Sequence, residues 1–210
     1  MPKLQEIAAA IEGGKLRSID AAVNAALEAG HTPQEILKIM HGAITRVGEK
    51  FQENEIFVSE MLVAALTMKK GVSVLRPQLH GEPQARLGKF ILGTVEGDLH
   101  DIGKNLVGIM LESVGFEVID LGVDVPASAF IQAILEHKDC KMVGISALLT
   151  TTLGAMERTV DAITTAGLRS QVKIFVGGAP VTEEIARRMG ADVYTPDAAS
   201  AARTARLMAM

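Results

Sequence analysis

Residues 89–122 read KFILGTVEGDLHDIGKNLVGIMLESVGFEVIDLG. An apolar, β-branched run (89–95) leads into a polar turn punctuated by glycine. Apolar residues then recur at helical spacing over 102–114, and a second apolar run follows at 117–122. Strands this continuously apolar belong in a parallel sheet buried between helix layers. The same succession continues with strands expected at 142–148 (MVGISAL), 173–178 (KIFVGG) and 191–195 (ADVYT), and with helices at 126–136, 152–166, 182–189 and 197–208. These βα units predict a flavodoxin-like, doubly wound five-stranded parallel sheet over residues 89–210, most simply in the order 2-1-3-4-5.

Upstream the period changes. Leu4, Ile7, Ala8 and Ile11, then Ile19, Val23 and Leu27, then Ile36, Met40, Ile44 and Val47, and finally Met61, Leu62, Ala65 and Met68 recur at three and four. They predict four amphipathic helices packed as an N-terminal bundle over residues 1–80, with Thr32 capping the third helix and Pro33 at its first position. A polar stretch with two prolines and a glycine, Pro77 to Arg86, reads as interdomain; the linker is assigned to 81–88.

Composition narrows the class of function. The chain has 210 residues, 48% hydrophobic, with a net charge of −4, so no basic excess points to nucleic acid. The single cysteine, Cys140, excludes an intrachain disulfide framework. No run approaches the roughly 18 apolar residues of a membrane span, and the start MPKLQEIAAAIEGGK lacks the features of a signal peptide. A cytoplasmic protein handling small molecules, with no nucleic-acid or membrane partner, is expected.

In open parallel sheets, ligands bind beyond the carboxyl ends of the strands where the strand order reverses. For the predicted order this cleft lies between strand one, ending in EGDLHDIG, and strand three, ending in SALLTTT; strand four contributes Gly177 and Gly178. Each feature also has a simpler reading. Asp98 could cap the helix near Ile102, His100 could be a surface residue, Ser146 and the threonines could cap the helix near Leu153, and the glycines could form only a tight turn.

Spacing decides among some alternatives. Gly97 and Gly103 enclose five residues and Asn105 follows Lys104, so a P-loop is not matched. No G-x-G-x-x-G follows a strand. A phospho-acceptor domain of this fold would want an aspartate at the end of strand three, where Ser146 to Thr150 stand. As a ligand to a metal already held in a large cofactor, His100 makes chemical sense: Asp98 can reach the remote ring nitrogen, and Thr152 can offer a hydroxyl across the cleft. A bare zinc site would want three or four protein ligands.

GDLHDIG, SALLTTT and the GG pair together closely resemble the cobalamin-binding module with its D-x-H-x-x-G, S-x-L and G-G motifs. The likeness extends through VIDLGVDVP (118–126) and GADVYTPDA (190–198). The run GEKFQENEIFVSEMLVAALTMKKGVSVLRP (48–77) is similar to the helical cap of methyl-transferring corrinoid proteins and of methionine synthase. The resemblance implies that His100 is the lower axial ligand of cobalt, replacing the cofactor's dimethylbenzimidazole. It implies that Asp98 bonds His100 and that Thr152 completes a proton-linked relay, standing where methionine synthase has serine. Leu99, Asp101, Ile102 and Gly103 would border the cofactor, with Gly103 letting the nucleotide tail pass. Ser146, Leu148, Thr150, Gly177 and Gly178 would line the channel for that tail. Phe51, Val58 (a leucine in methionine synthase) and Met61 would lie above the corrin.

The activity so implied is that of a methyl carrier, its cobalt alternating between Co(I) and methyl-Co(III). Its implied partners are a substrate-specific methyltransferase, a second methyltransferase acting on a pterin or thiol, and a reductive activase. The chain would be a carrier subunit of a cobalamin-dependent methyltransferase system rather than a complete enzyme. A cobalamin-sensing regulator is the alternative; it would normally carry a DNA-binding module, and no basic helix-turn-helix is expected before residue 3 or after residue 208. A cobalamin-dependent isomerase subunit generally lacks such a bundle.

Overall fold

The computed structural model describes residues 2–75 and 87–210. The chain divides into two compact units, Met1–Ala85 with Glu112–Gly115, and Arg86–Leu111 with Phe116–Met210. Most of the expected linker, 81–86, lies outside the described residues, and Gly88 already begins the first strand.

The first unit contains α1 (Pro2–Glu12), α2 (Ile19–Glu28), α3 (Pro33–Gln52) and α4 (Val58–Leu75). Their apolar stripes converge: Ile7, Ile11, Ile19, Val23, Ile36, Met40, Ile44 and Met68 are all buried. α3 starts where the sequence says it should. The Thr32 hydroxyl accepts the Glu35 N–H, the Glu35 carboxylate accepts the Thr32 N–H, and Pro33 occupies the first turn. This reciprocal box satisfies donors that the helix itself leaves open.

The second unit alternates β1 (Gly88–Thr94), α5 (Ile102–Ser113), β2 (Phe116–Asp120), α6 (Ala127–Glu136), β3 (Met142–Ser146), α7 (Leu153–Thr165), β4 (Lys173–Gly177), α8 (Glu183–Arg188), β5 (Val193–Tyr194) and α9 (Ala198–Ala209). The sheet is parallel throughout, in the expected order β2-β1-β3-β4-β5. Alternate residues of β1 enter opposite layers. Ile91 joins Val143, Ile145, Phe130, Met156 and Val160 in one buried cluster. Phe90 meets the edges of Phe116 and Phe175, at centroid distances of 6.0 and 5.3 Å.

Several boundaries differ from the sequence-based expectation, β3 among them, which ends at Ser146 rather than at 148. β2 stops at Asp120, not 122, because Gly122 turns with φ +89° and its N–H goes to the Asp120 carboxylate at 2.9 Å. β5 is reduced to Val193–Tyr194 at the sheet edge, where only one neighbour supplies ladder bonds. A 3₁₀ turn, Thr150–Thr152, precedes α7. Among the described residues, no helix is long and apolar enough to cross a membrane.

Register positions the site. Thr94 is level with Ser146, and Ser146 with Gly177. The chain therefore leaves β1, β3 and β4 at one height, and the three following loops share one edge of the sheet.

Candidate functional site

The loop after β1 is shaped by backbone chemistry before any side chain acts. The Asp98 N–H donates to the Val95 carbonyl at 3.1 Å, closing a turn whose third residue, Gly97, has φ +82°. A side chain there would be strained, which explains the glycine. The Asp98 carboxylate then accepts the His100 backbone N–H at 3.0 Å, the local turn that aspartate favours two residues ahead of itself. The buried Thr94 hydroxyl donates to the His100 carbonyl at 3.1 Å.

Asp98 has no exposed surface. Its Oδ1 lies 2.7 Å from His100 Nδ1. Its Oδ2 accepts the Leu148 N–H at 2.7 Å, the Leu149 N–H at 3.3 Å and the Thr152 hydroxyl at 2.9 Å. Burial pushes its pKa up, but these bonds outweigh burial and hold the carboxyl well below the usual carboxylate range. An ionised carboxylate only accepts hydrogen bonds, so in the neutral imidazole Nδ1 carries the proton and Nε2 keeps its lone pair. The His100 side chain is 51% exposed.

The simpler capping readings do not describe these residues. The Asp98 carboxylate is occupied by His100 and by the loop after β3. The backbone bond that opens α5 runs from the Asn105 N–H to the Asp101 carbonyl, at 2.7 Å. Thr152 precedes α7 without a side-chain cap bond; its hydroxyl has two acceptors at 2.9 Å, Asp98 Oδ2 and the Leu149 carbonyl.

Around His100 the surface is apolar for a loop region. Leu99 is 72% and Ile102 84% exposed, and Leu148 and Leu149 are also exposed. Asp101, Gly103 and Thr150 are exposed as well, and Ser146 is partly buried at the end of β3. A Cβ added to Gly103 would meet nothing within 4 Å. Gly177 is partly buried; Gly178 is exposed, with φ +127°, and a Cβ there would sit 1.8 Å from the Ala147 carbonyl oxygen. The remaining expected contacts belong to the helical unit. Phe51 is partly buried in the last turn of α3, Val58 is 48% exposed at the start of α4, and Met61 is fully buried.

Two further groups support the loops and were not anticipated. Asp124 accepts the Gly97 N–H at 2.7 Å. Lys104, almost wholly buried in α5, pairs with Asp120 at the end of β2 and donates to the Asn105 side-chain oxygen at 2.8 Å. Separations of 27 and 16 residues leave no local signal for either contact.

Among the described residues no group of three or more His, Cys, Asp or Glu side chains could hold a bare ion. One open imidazole nitrogen, oriented by a buried carboxylate beside apolar surface, suits a metal whose other positions are filled by a large planar ligand. A doubly wound parallel sheet with such an imidazole at its switch point defines a cofactor-binding α/β protein.

The chain belongs to the B12-binding family: the model for the B12 binding domain matches residues 88–205, and a second B12 binding domain model matches residues 3–76. It is a cobalamin-binding protein related to the corrinoid proteins of methyl-transfer systems. It is 41% identical over 204 residues to dimethylamine corrinoid protein 3 of Methanosarcina acetivorans, covering 97% of this chain and 95% of that one. A cobalamin-binding protein from Desulfitobacterium hafniense superposes with a TM-score of 0.84 at 35% identity over 97% of each chain. A chain of the methanol:cobalamin methyltransferase complex of Methanosarcina barkeri superposes with a TM-score of 0.83 at 29% identity, over 99% of this chain and 80% of that one.

Proposed function

We propose that the protein is a cytoplasmic methyl carrier. It would hold a corrinoid with His100 as the protein's ligand to cobalt, in place of the cofactor's own base. It shuttles a methyl group from a substrate-specific methyltransferase to a second methyltransferase acting on a pterin or thiol acceptor, with a reductive activase restoring the carrier after oxidation. The observation that carries this reading is the imidazole whose Nδ1 is tied to buried Asp98 and whose Nε2 is open. The names of the relatives support it and favour methylated amines as the donor class.

When bound, the corrinoid would supply a cobalt centre able to accept and yield a methyl group. The chain's own residues would do the rest. His100 would donate through Nε2, and Asp98 would hold the proton at Nδ1 and so strengthen that donation. Thr152 would fix the carboxylate's other oxygen and complete the proton-linked set. Leu99 and Ile102 would cover apolar parts of the cofactor and keep water away, with Asp101 at the loop edge. Gly103, Ser146, Leu148, Thr150, Gly177 and Gly178 would border the nucleotide tail. Residues 1–80 would form the cap domain, Phe51 and Val58 offering surface to the corrin and Met61 packing behind.

Reconstitution with hydroxocobalamin tests this. The expected absorption spectrum is that of a corrinoid released from its own base and coordinated by imidazole, lost in His100→Ala; an unchanged free-cofactor spectrum would refute the reading. Methyl acceptance from the co-purifying methyltransferase should fall far more in His100→Ala than in the surface variant Arg187→Ala.

A further inference from the structure

Asp124 lies in the connection from β2 to α6. It is exposed, yet its backbone is held at φ +53°, a left-handed conformation that aspartate tolerates better than most residues. Its carboxylate and its own N–H both reach the loop after β1. Its Oδ1 accepts the Gly97 N–H at 2.7 Å, and its own N–H donates to the Asp98 carbonyl at 3.0 Å. These bonds bracket residues 97 and 98, with only Leu99 between them and His100.

The bracket is itself anchored. The Val125 N–H donates to the Thr94 carbonyl at 2.9 Å, and Val95 and Val125 form a parallel bridge. Gly97, at φ +82°, is the loop's freest backbone position, because glycine restricts the chain least.

We propose that Asp124 is a positioning residue for His100. By clamping residues 97 and 98 it keeps the Asp98 carboxylate where it captures Nδ1, and so keeps Nε2 open. The Gly97 amide is at the surface, so water can replace the carboxylate at little cost to folding. What the carboxylate adds is order in the loop. The consequence for cobalt rests on the reading of His100 as its ligand.

Two substitutions separate the roles of this side chain. Asp124→Gly keeps the left-handed backbone without strain and removes the acceptor; Asp124→Asn keeps an acceptor oxygen. In the cofactor-free protein, solvent-exchange NMR should show the Gly97 and His100 amides of Asp124→Gly exchanging about tenfold faster, with β1 and β3 amides unchanged. Asp124→Asn should stay within about twofold of the parent. Imidazole ¹⁵N spectra at about pH 8, where a free imidazole is neutral, should show the Nδ1–H tautomer in the parent and Asp124→Asn, and a mixture in Asp124→Gly. With hydroxocobalamin, Asp124→Gly should show a smaller imidazole-coordinated fraction. Parent-like loop exchange and tautomer in Asp124→Gly, or no rescue by Asp124→Asn, would overturn the proposal. If the parent itself binds without imidazole coordination, the ligand reading falls, while the cofactor-free NMR comparison still decides the role of Asp124.

Discussion

Asp98 Oδ1 and His100 Nδ1 lie 2.7 Å apart, and the same carboxylate accepts the Leu148 N–H at 2.7 Å through its other oxygen. One buried side chain thus joins the loop after β1 to the loop after β3. It orients the imidazole from one side and ties down the opposite wall of the cleft from the other.

Removing that carboxylate should cost stability even without cofactor. In Asp98→Ala the Leu148 N–H loses its short partner, a loss of about 1–3 kcal/mol when such a donor is left unsatisfied. Urea unfolding followed by circular dichroism measures it, and a parent-like midpoint would show that water takes over these bonds.

The pH dependence has a definite sign. In the folded protein Asp98 titrates below its ordinary value of 3.8, because its hydrogen bonds outweigh its burial. A depressed carboxylate stabilises the folded state above the unfolded pKa, and that contribution is lost as pH falls from there toward the folded value. The difference in melting temperature between the parent and Asp98→Asn should therefore be constant near about pH 6 and shrink toward about pH 3. A difference that widens on acidification would contradict the ionised assignment.

Thr152 offers a smaller, cleaner contrast. Thr152→Val preserves the shape and removes the hydroxyl that donates to Asp98 at 2.9 Å, at a cost of about 1 kcal/mol; Thr152→Ser should recover most of it. Thermal melts of the three cofactor-free proteins decide the matter, and a destabilised Thr152→Ser beside a parent-like Thr152→Val would assign the effect to the methyl group instead.

Two glycines of the site should respond in opposite ways. Gly178→Ala drives a Cβ to within 1.8 Å of the Ala147 carbonyl at φ +127°, so a loss of about 2 kcal/mol or more is expected. Gly103→Ala places its methyl in open space near the start of α5 and should be neutral or stabilising by about 0.5 kcal/mol. If the nucleotide tail passes Gly103, the same change weakens hydroxocobalamin binding, so stability and affinity measured together distinguish the two effects.

Much of the architecture is written in short-range patterns. Apolar period sets each helix and strand, Thr32, Pro33 and Glu35 start α3, and continuously apolar runs require a sheet covered on both faces. The spacing of Asp98 and His100 is equally local, since an aspartate bonds the backbone two residues ahead of itself. The exact strand ends are less visible. β2 stops early because a glycine with positive φ, its N–H donated to the Asp120 carboxylate, wins over propensity, and β5 shrinks because an edge strand has one partner.

Tertiary structure brings together the partners that cross the sheet, the expected Thr152 and the unexpected Asp124. Thr152, 54 residues from Asp98, reaches it because parallel pairing sets β1 level with β3. Asp124 reaches Gly97 because β2 lies on the other side of β1. Hydrogen bonds act over about 3 Å, so a residue type in the chain announces a capacity to donate or accept. Which group receives it depends on register and strand order, which bring distant loops to one edge and hold a lone histidine in a fixed orientation.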